Sequence, residues 1–534
     1  MHSDMPNITT TTSQVEVIAF LSDPHKHSQA NTIQRIDTHA AMVFLIGPLA
    51  CKIKRAVAYP FLDFSTLEKR RLACAHEIKV NQANAPQIYI GAVAITRQRD
   101  NQLEIDGSGE VVEWAVLMNR FDENLTLDKV VENGPISDEL ANRLACEMVR
   151  IQAQAPLRPA TPWIADLARY INDNSKAFAR HADIFPTAQA AGLEKASLIA
   201  CQQIKPLLER RGSAGHVRLC HGDAHLGNIV LIDGQPVFFD AIEFSDVIAT
   251  ADVLYDLAFL LMDLWHRGHA HESNVVFNRY LSECRAKDPQ AKSPQAKDPD
   301  ASDHYQGLAA LPFFLMMRAA IRAKVTIARR EFCPKDQHTD ISAQAQAYFV
   351  TACDFLNDTP PRLVAVGGLS GSGKSTVAAH IAASIGRAPG AVVLRSDVMR
   401  KQLFGLCETQ SLPQEGYCEA TSQIVYEQLY ETAAEILATG HSVIVDAVFA
   451  RETERDMIAQ IAQSADVAFQ GVWLEAPQEV LIERVSTRQN DASDADETVV
   501  RKQTSFDLGA IVWARINAAS QPDDVVAKVK SILE

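Results

Sequence analysis

The chain has 534 residues, of which 47% are hydrophobic and 22% are charged, and its formal net charge at pH 7 is −15. This length predicts two or three globular domains rather than one hydrophobic core. The acidic balance argues against a general nucleic-acid binder. No stretch is long and apolar enough to predict a membrane span, and the ten scattered cysteines indicate reduced thiols in a cytoplasmic protein.

The sequence of residues 1–121 predicts several strands and two helices. Two apolar runs on either side of Gly47-Pro48 predict a β-hairpin, because glycine and proline mark tight turns. The expected elements are a helix at 15–21, strands at 41–45 and 50–54, a helix at 66–84 and further strands within 87–121.

Lys52 and Lys54 lie two residues apart on the second predicted strand, so their side chains project from the same face. Glu77 on the next helix is their natural counter-charge, and kinases require such a Lys–Glu pair at the nucleotide phosphates. We favour Lys54 as the phosphate-binding lysine because the chain leaves the strand directly after it, but Lys52 remains open. Two lysines that protect an exposed edge strand are the alternative. No Gly-x-Gly-x-x-Gly turn precedes the strand, which counts against a protein kinase.

The stretch 221–244 predicts a second hairpin. Asp233-Gly234 separates the apolar runs 229–232 and 236–239, and aspartate followed by glycine between such runs favours a two-residue turn. A tight hairpin brings the polar residues before the first run and after the second run to one end of the ribbon.

Three of these polar residues are Asp223, Asn228 and Asp240. From His221 the spacing is His-x-Asp-x-x-x-x-Asn, as in the catalytic loop of kinases. In that loop the aspartate takes the proton of the acceptor hydroxyl, and the asparagine and a later aspartate hold magnesium. An ordinary hairpin with polar ends is the alternative, since such residues often bond their own backbone.

Helices are expected across 136–208, 252–264 and 308–330. An Ala-Lys-x-Pro repeat with almost no apolar content indicates a flexible insertion at about 285–304. On the second of these helices, Asp252 or Asp256 could brace the catalytic loop. We favour the alternative that both cap the helix and stay solvated.

Residues 36–330 resemble the aminoglycoside phosphotransferase family, the small-molecule branch of the protein-kinase-like fold. The resemblance rests on the motif from His221 to Asn228, on Asp240, and on Lys52 or Lys54 with Glu77. It implies that Asp223 is the catalytic base, that Asn228 and Asp240 hold magnesium, and that Lys54 binds ATP. It does not identify the acceptor, because related enzymes phosphorylate antibiotics, choline, homoserine, sugars and other alcohols.

A second nucleotide site is predicted after the apolar strand at 363–366. The sequence Gly-Leu-Ser-Gly-Ser-Gly-Lys-Ser-Thr fits the phosphate-binding loop G-x-x-x-x-G-K-[ST], with a strand before it and a helix after it. Its glycines let backbone N–H groups close round phosphates at the start of the helix. The expected ATP contacts are Gly368, Gly371, Gly373, Lys374, Ser375 and Thr376, and Ser375 is also an expected magnesium ligand.

Asp446 ends an apolar strand at 443–445 and is the expected acidic magnesium ligand of this site. Asp397 follows another strand and could activate an acceptor hydroxyl, while Arg400 three residues later could hold an anionic part of the substrate. In the alternative, Asp397 caps the following helix and Arg400 is solvated.

Arg484 and Arg488 lie four residues apart on a predicted helix and share one face. They could form a lid over the ATP phosphates, or they could simply be solvated. Residues 362–534 resemble the P-loop kinase group that contains gluconate kinase, polynucleotide kinase and zeta-type toxins. The Ser-Asp-x-x-Arg motif at Ser396 and the Asp-Ala-Ser-Asp motif after the arginines carry this resemblance.

The sequence therefore predicts a bilobal α+β protein-kinase-like domain at 1–357 and an α/β P-loop domain with a parallel sheet at 358–534. Together the halves resemble bacterial proteins that fuse an aminoglycoside phosphotransferase to an ATP-binding P-loop domain. The expected function is a bifunctional, ATP- and Mg²⁺-dependent phosphotransferase that acts on hydroxyl groups of small molecules such as a sugar or an amino alcohol. Alternatives are a regulatory role for one domain, phosphorylation of RNA ends or protein, and antibiotic resistance. The sequence does not predict the oligomeric state.

Overall fold

The computed structural model describes residues 12–27, 31–38, 40–59, 62–287, 303–331, 333–406, 408, 410–487 and 492–533. Within these ranges the chain forms an α+β domain followed by an α/β domain, in agreement with the predicted fold class.

The first lobe is an antiparallel sheet of six strands in the order β1-β2-β3-β8-β6-β7. The hairpin between β2 and β3 turns at Gly47, where φ is +57°, as the sequence predicts. In sequence, one helix precedes the first strand of the sheet and another follows the hairpin. The elements are α1 (Thr12–Ser22), β1 (Ile33–Asp37), β2 (Ala41–Ile46), β3 (Leu49–Lys54), β4 (Ala58–Tyr59), β5 (Leu62–Asp63), α2 (Leu67–Asn81), β6 (Tyr89–Arg97), β7 (Leu103–Ile105) and β8 (Glu110–Asn119).

The second lobe is mainly helical, and its short strands form two separate pairs, β9 with β12 and β10 with β11. Its central helix, α8, is buried from Val253 to Leu264, which explains its nearly continuous apolar sequence. The elements are α3 (Leu127–Glu132), α4 (Asp138–Gln154), α5 (Ala160–Arg180), α6 (Thr187–Ser213), β9 (Val217–Leu219), β10 (Ile229–Ile232), β11 (Gln235–Phe238), α7 (Asp246–Ala249), β12 (Thr250–Asp252), α8 (Val253–His266), α9 (Ala270–Lys287), α10 (Asp303–Gln306), α11 (Leu311–Ala328) and α12 (His338–Asp354).

The predicted flexible insertion at about 285–304 is bounded by helices. Helix α9 continues through Lys287, and α10 begins at Asp303. The repeat between them, residues 288–302, lies outside the described residues.

The second domain is a parallel sheet of five strands in the order β14-β15-β13-β16-β17, with helices packed against it. Ligands bind at the carboxyl edge of such sheets. The elements are β13 (Arg362–Gly368), α13 (Lys374–Ala382), β14 (Val392–Arg395), α14 (Ser396–Leu403), α15 (Glu419–Ala438), β15 (Val443–Asp446), α16 (Glu452–Ser464), β16 (Ala468–Glu475), α17 (Gln478–Thr487), α18 (Glu497–Thr504), β17 (Ala514–Asn517) and α19 (Pro522–Leu533).

Helix α9 of the first domain covers the exposed edge of β14. The Asn278 side chain accepts a hydrogen bond from the Val393 amide at 2.7 Å. The side-chain amides of Asn274 and Asn278 both donate to the Ala391 carbonyl, at 3.1 and 3.2 Å. Edge strands carry unpaired backbone groups, and here the asparagines satisfy them.

Candidate functional site

The ribbon of β10 and β11 positions the first candidate site. Asp233 and Gly234 form its turn with φ of +51° and +73°, the positive values that this type of two-residue turn requires. Ile232 and Gln235 flank the turn as register partners, so the predicted hairpin is confirmed.

Asp223, Asn228 and Asp240 come together at the base of this ribbon. The Asn228 amide nitrogen donates to the Asp223 carbonyl at 2.9 Å and to the Asp223 carboxylate at 3.0 Å. This contact leaves the Asn228 amide oxygen as the atom that could bind a metal ion. Asp240 has φ of +56°, its backbone N–H donates to the Tyr89 hydroxyl at 3.1 Å, and its carboxylate is 45% exposed. Carboxylate and amide oxygens suit a hard cation such as Mg²⁺.

Asp223 is ionised at neutral pH. Burial raises the pKa of Asp223, but the His225 ring, 3.5 Å away, and the Arg322 and His221 side chains outweigh burial, so this pKa lies below its usual range. A carboxylate in this state can accept a proton from a hydroxyl group that binds beside it.

Buried carboxylates on α8 hold the loop that carries Asp223. The Gly222 amide donates to Asp256 at 2.9 Å, and the Leu226 amide donates to Asp263 at 3.0 Å. The expected solvation of Asp252 and Asp256 is wrong, because both are fully buried. Asp252 does cap α8, through the Leu254 amide, and it also pairs with Arg211 at 2.7 Å. Asp256 is the brace.

Lys52 and Lys54 both contact Glu77, as expected for side chains on one face of a strand. Lys52 Nζ lies 2.8 Å from Glu77 and 2.8 Å from Asp240. Lys54 Nζ lies 2.5 Å from Glu77 and 2.5 Å from Glu243, and its side chain is only 2% exposed. Only Lys52 of the two contacts Asp240 at the ribbon base, so the geometry favours Lys52 over Lys54 as the phosphate-binding residue.

Glu77 carries a full negative charge between the two lysines. Burial opposes ionisation, but the Lys52 and Lys54 ammonium groups outweigh it and lower the pKa of Glu77 to about 2. The lysines are therefore held in place by a fixed charge.

The second candidate site lies where β13 turns into α13. Gly368, Gly371 and Gly373 have φ of +144°, +82° and +89°. A Cβ at Gly368 would lie 2.5 Å from the Leu474 carbonyl oxygen, and one at Gly371 would lie 2.6 Å from that of Leu481. Gly368 and Gly371 therefore need glycine both for conformation and for space, whereas Gly373 needs it for conformation alone.

The remaining residues of the loop begin α13. Lys374 Nζ donates to the Leu369 carbonyl at 3.1 Å, and Thr376 is exposed on the first turn of the helix. Ser375 Oγ donates to the Asp446 carboxylate at 2.6 Å, so the two expected magnesium ligands of this site are in contact. Burial raises the pKa of Asp446, although Lys374 and Arg395 oppose this shift.

Two residues near this loop escaped the sequence analysis. Arg395 Nη2 donates to Ser375 Oγ at 3.1 Å, and Arg395 Nε lies 3.5 Å from Asp446. Arg395 and Asp446 are register partners at the ends of neighbouring parallel strands, which was the available signal. Gln503 accepts a hydrogen bond from the Ser370 amide at 2.8 Å, and no sequence pattern indicates this contact.

Asp397 and Arg400, the two residues predicted to contact the acceptor, differ from each other in burial and contacts. Asp397 is half-buried on the first turn of α14, and it is not the N-cap of this helix. Arg400 is buried, and it donates to the Gly416 carbonyl at 2.7 Å and to Ser422 Oγ at 3.2 Å. These contacts contradict the solvated alternative and favour a structural role over the predicted substrate contact.

The predicted arginine lid is described only in part. Arg484 is half-buried and donates to the Ser520 carbonyl at 3.4 Å. Arg488 lies outside the described residues.

Comparison with known protein families gives one match in each half of the chain. Residues 80–290 match the model of the phosphotransferase enzyme family, and residues 363–507 match the model of an AAA domain. The chain therefore joins a phosphotransferase-type domain to a P-loop domain.

The relatives found include uncharacterized proteins of Mycobacterium tuberculosis and Mycobacterium bovis. Each is 26% identical over 501 residues, which covers 91% of this chain and 93% of the relative. Among solved structures, a choline/ethanolamine kinase family protein from Mesorhizobium loti is 13% identical and covers 65% of this chain and 99% of its own, with a TM-score of 0.34. A sugar kinase from Janibacter is 22% identical and covers 33% of this chain and 95% of its own, with a TM-score of 0.24.

Across the part of the chain that the structure describes, every helix is too short or too polar to cross a membrane.

Proposed function

We propose that this protein is a bifunctional ATP- and Mg²⁺-dependent phosphotransferase whose two sites act on hydroxyl groups of small molecules. One observation carries the proposal: a single chain holds two separate clusters that each combine a lysine, hard oxygen ligands and a further carboxylate. The first is Lys52 with Asn228, Asp240 and Asp223. The second is Lys374 with Ser375, Asp446 and Asp397.

At the first site Asp223 is the proposed base. Its carboxylate accepts the proton of the acceptor hydroxyl while the acceptor oxygen forms a bond to the γ-phosphorus of ATP, and the bond from that phosphorus to the bridging oxygen breaks to release ADP. Asn228 and Asp240 would hold magnesium, which neutralises charge on the phosphate oxygens. Lys52 binds the phosphates and is oriented by Glu77.

At the second site the backbone N–H groups of residues 368–375 and the N-terminus of α13 bind the phosphates of ATP. Ser375 and Asp446 would hold magnesium. Asp397, two residues beyond the end of β14, accepts the proton of the second acceptor. The half-buried position of Asp397 at the carboxyl edge of the sheet supports this role.

The test is ATP consumption by the full chain across a panel of sugars, amino alcohols and other hydroxyl metabolites. Asp223→Asn and Lys374→Ala variants assign each active compound to one site. A compound that loses turnover in only one variant belongs to that site. If no hydroxyl compound stimulates ATP consumption, the proposal is contradicted.

A regulatory link between the domains is the second candidate function. Helix α8 braces the Asp223 loop through Asp256, and the next helix, α9, binds the edge of β14 through Asn278. In this case Lys374→Ala changes the turnover of the first site without removing a separate phosphorylated product. Product analysis of the same panel distinguishes the two functions.

A further inference from the structure

The strongest feature outside the proposed roles is the contact of Arg395 with both expected magnesium ligands of the second site. Arg395 Nη2 donates to Ser375 Oγ at 3.1 Å, and its Nε lies 3.5 Å from the Asp446 carboxylate. Ser375 Oγ in turn donates to Asp446 at 2.6 Å. The three side chains form a closed triangle at the carboxyl edge of the sheet.

Charge explains why an arginine is present here. The Asp446 side chain is only 5% exposed, and a buried carboxylate requires a nearby cation or a proton. Lys374 and Arg395 both place positive charge beside this carboxylate, and Arg395 Nε lies 3.5 Å from it. The planar guanidinium can bridge the hydroxyl and the carboxylate at once, which an ammonium group does less well.

The same contact conflicts with a bound metal ion. Ser375 Oγ has two lone pairs, and Arg395 uses one of them. A magnesium ion demands close oxygen ligands in nearly ideal geometry, and it would repel a guanidinium held by the same two residues. Arg395 and magnesium therefore cannot both occupy this position.

We propose that Arg395 occupies the magnesium position of the second site in the nucleotide-free protein and moves to the γ-phosphate when MgATP binds. The inference rests on the proposed magnesium site at Ser375 and Asp446. Before the metal ion binds, Arg395 holds both ligands in place. After displacement, Arg395 would contact the phosphoryl group that is transferred.

The test is magnesium-dependent nucleotide binding by the full chain, measured with a fluorescent ADP or ATP analogue. The same titration with Lys374→Ala is subtracted, so that only binding at the second site remains. Arg395→Ala removes the competing cation, and Arg395→Lys keeps a cation without the planar fork. Arg515→Ala is the matched control. Arg515 lies on β17, the edge strand opposite β14, and pairs with Glu475 at 2.7 Å.

With ADP, we expect Arg395→Ala to lower the half-saturating magnesium concentration about threefold or more, because a competing charge is removed. Arg395→Lys should lie between this variant and the wild type, and Arg515→Ala should match the wild type. At saturating magnesium, Arg395→Ala should reduce the preference for ATP over ADP about tenfold, because a charged contact to the γ-phosphate is lost. A role in folding alone would lower thermal stability without changing either quantity.

An unchanged or higher magnesium requirement in Arg395→Ala overturns the competition. An unchanged ATP-to-ADP ratio overturns the move to the γ-phosphate. If Arg395→Ala fails to fold, the same two quantities are measured with Arg395→Lys, and an unchanged value overturns the same part of the proposal. Wild-type binding that is independent of magnesium after subtraction overturns the proposed magnesium site itself, so the two failures are distinguishable.

Discussion

At the scale of single residues, the first site depends on a carboxylate that remains charged. The His225 ring and the Arg322 guanidinium lower the pKa of Asp223 despite burial, so this side chain is ionised at neutral pH. Asn228 fixes its orientation through a 3.0 Å hydrogen bond.

Replacing Asp223 with Asn should reduce kcat of the first site by about 10²- to 10⁴-fold, because the amide cannot accept the acceptor proton. ATP binding should remain, since the phosphates contact other residues. Steady-state kinetics with an acceptor assigned to this site, together with ATP binding, measure both quantities. Full turnover in the variant would refute the role of Asp223 as base.

The two lysines of β3 should separate into a functional and a structural residue. Lys52→Met should raise the KM for ATP at the first site with little change in thermal stability, because Glu77 keeps Lys54 as its partner. Lys54→Met should instead destabilise the domain by about 3–5 kcal/mol, because it removes the buried cation that pairs with Glu243 at 2.5 Å. Thermal unfolding and ATP kinetics of both variants measure the difference. The reverse pattern would restore Lys54 as the phosphate-binding residue.

At the scale of elements, α8 is both a core helix and the support of the catalytic loop. Its buried carboxylates Asp256 and Asp263 accept hydrogen bonds from the Gly222 and Leu226 amides. Arg318 on α11 also donates to the Gly222 carbonyl at 3.0 Å. The position of Asp223 is thus fixed from two helices.

Asp256→Ala should leave the Gly222 amide buried without a partner, which costs about 1–3 kcal/mol of stability, and should lower kcat of the first site. Asp256→Asn should restore most of the turnover, because its amide oxygen can still accept that hydrogen bond. Unfolding curves and kcat of the two variants make the comparison. Equal losses in both variants would show that the charge, and not the hydrogen bond, is what matters.

Short sequence patterns correctly predicted the turns and loops whose conformation is set by residues close in sequence. The Asp233-Gly234 turn, the Gly47 hairpin and the strand–loop–helix around Lys374 follow from backbone rules that act within a few residues. The choice between Lys52 and Lys54 depends on Asp240, which is distant in sequence, so strand alternation alone could not make it. For the same reason Arg395 was missed and capping was favoured over bracing for Asp256, since each role depends on which elements pack together.

At the scale of the whole molecule, the two domains share a packed interface. Phe277 on α9 lies beside His441, two residues before β15, with ring centroids 6.4 Å apart. Burial and the charge of Arg387 lower the pKa of His441 to about 3, so this ring is neutral in the folded protein.

This histidine should make the protein sensitive to acid. The unfolded chain takes up a proton at His441 near pH 6.5, whereas the folded chain does so only near pH 3. The contribution of His441 to stability is therefore complete above about pH 6.5 and falls by about 1.4 kcal/mol for each pH unit below that value. Tm measured between pH 8 and pH 4 should decline less steeply in His441→Leu than in the wild type. Parallel declines would contradict the buried, neutral ring.

Both proposed reactions require that one chain contain two independent sites for ATP and magnesium. Equilibrium binding of a non-hydrolysable ATP analogue to the full chain, in the presence of Mg²⁺, tests this requirement most directly. At a nucleotide concentration that just saturates the wild type, we expect two nucleotides per wild-type chain, one per Lys52→Ala or Lys374→Ala chain and none in the double variant. A single nucleotide per wild-type chain, or a variant that leaves the count unchanged, would contradict it.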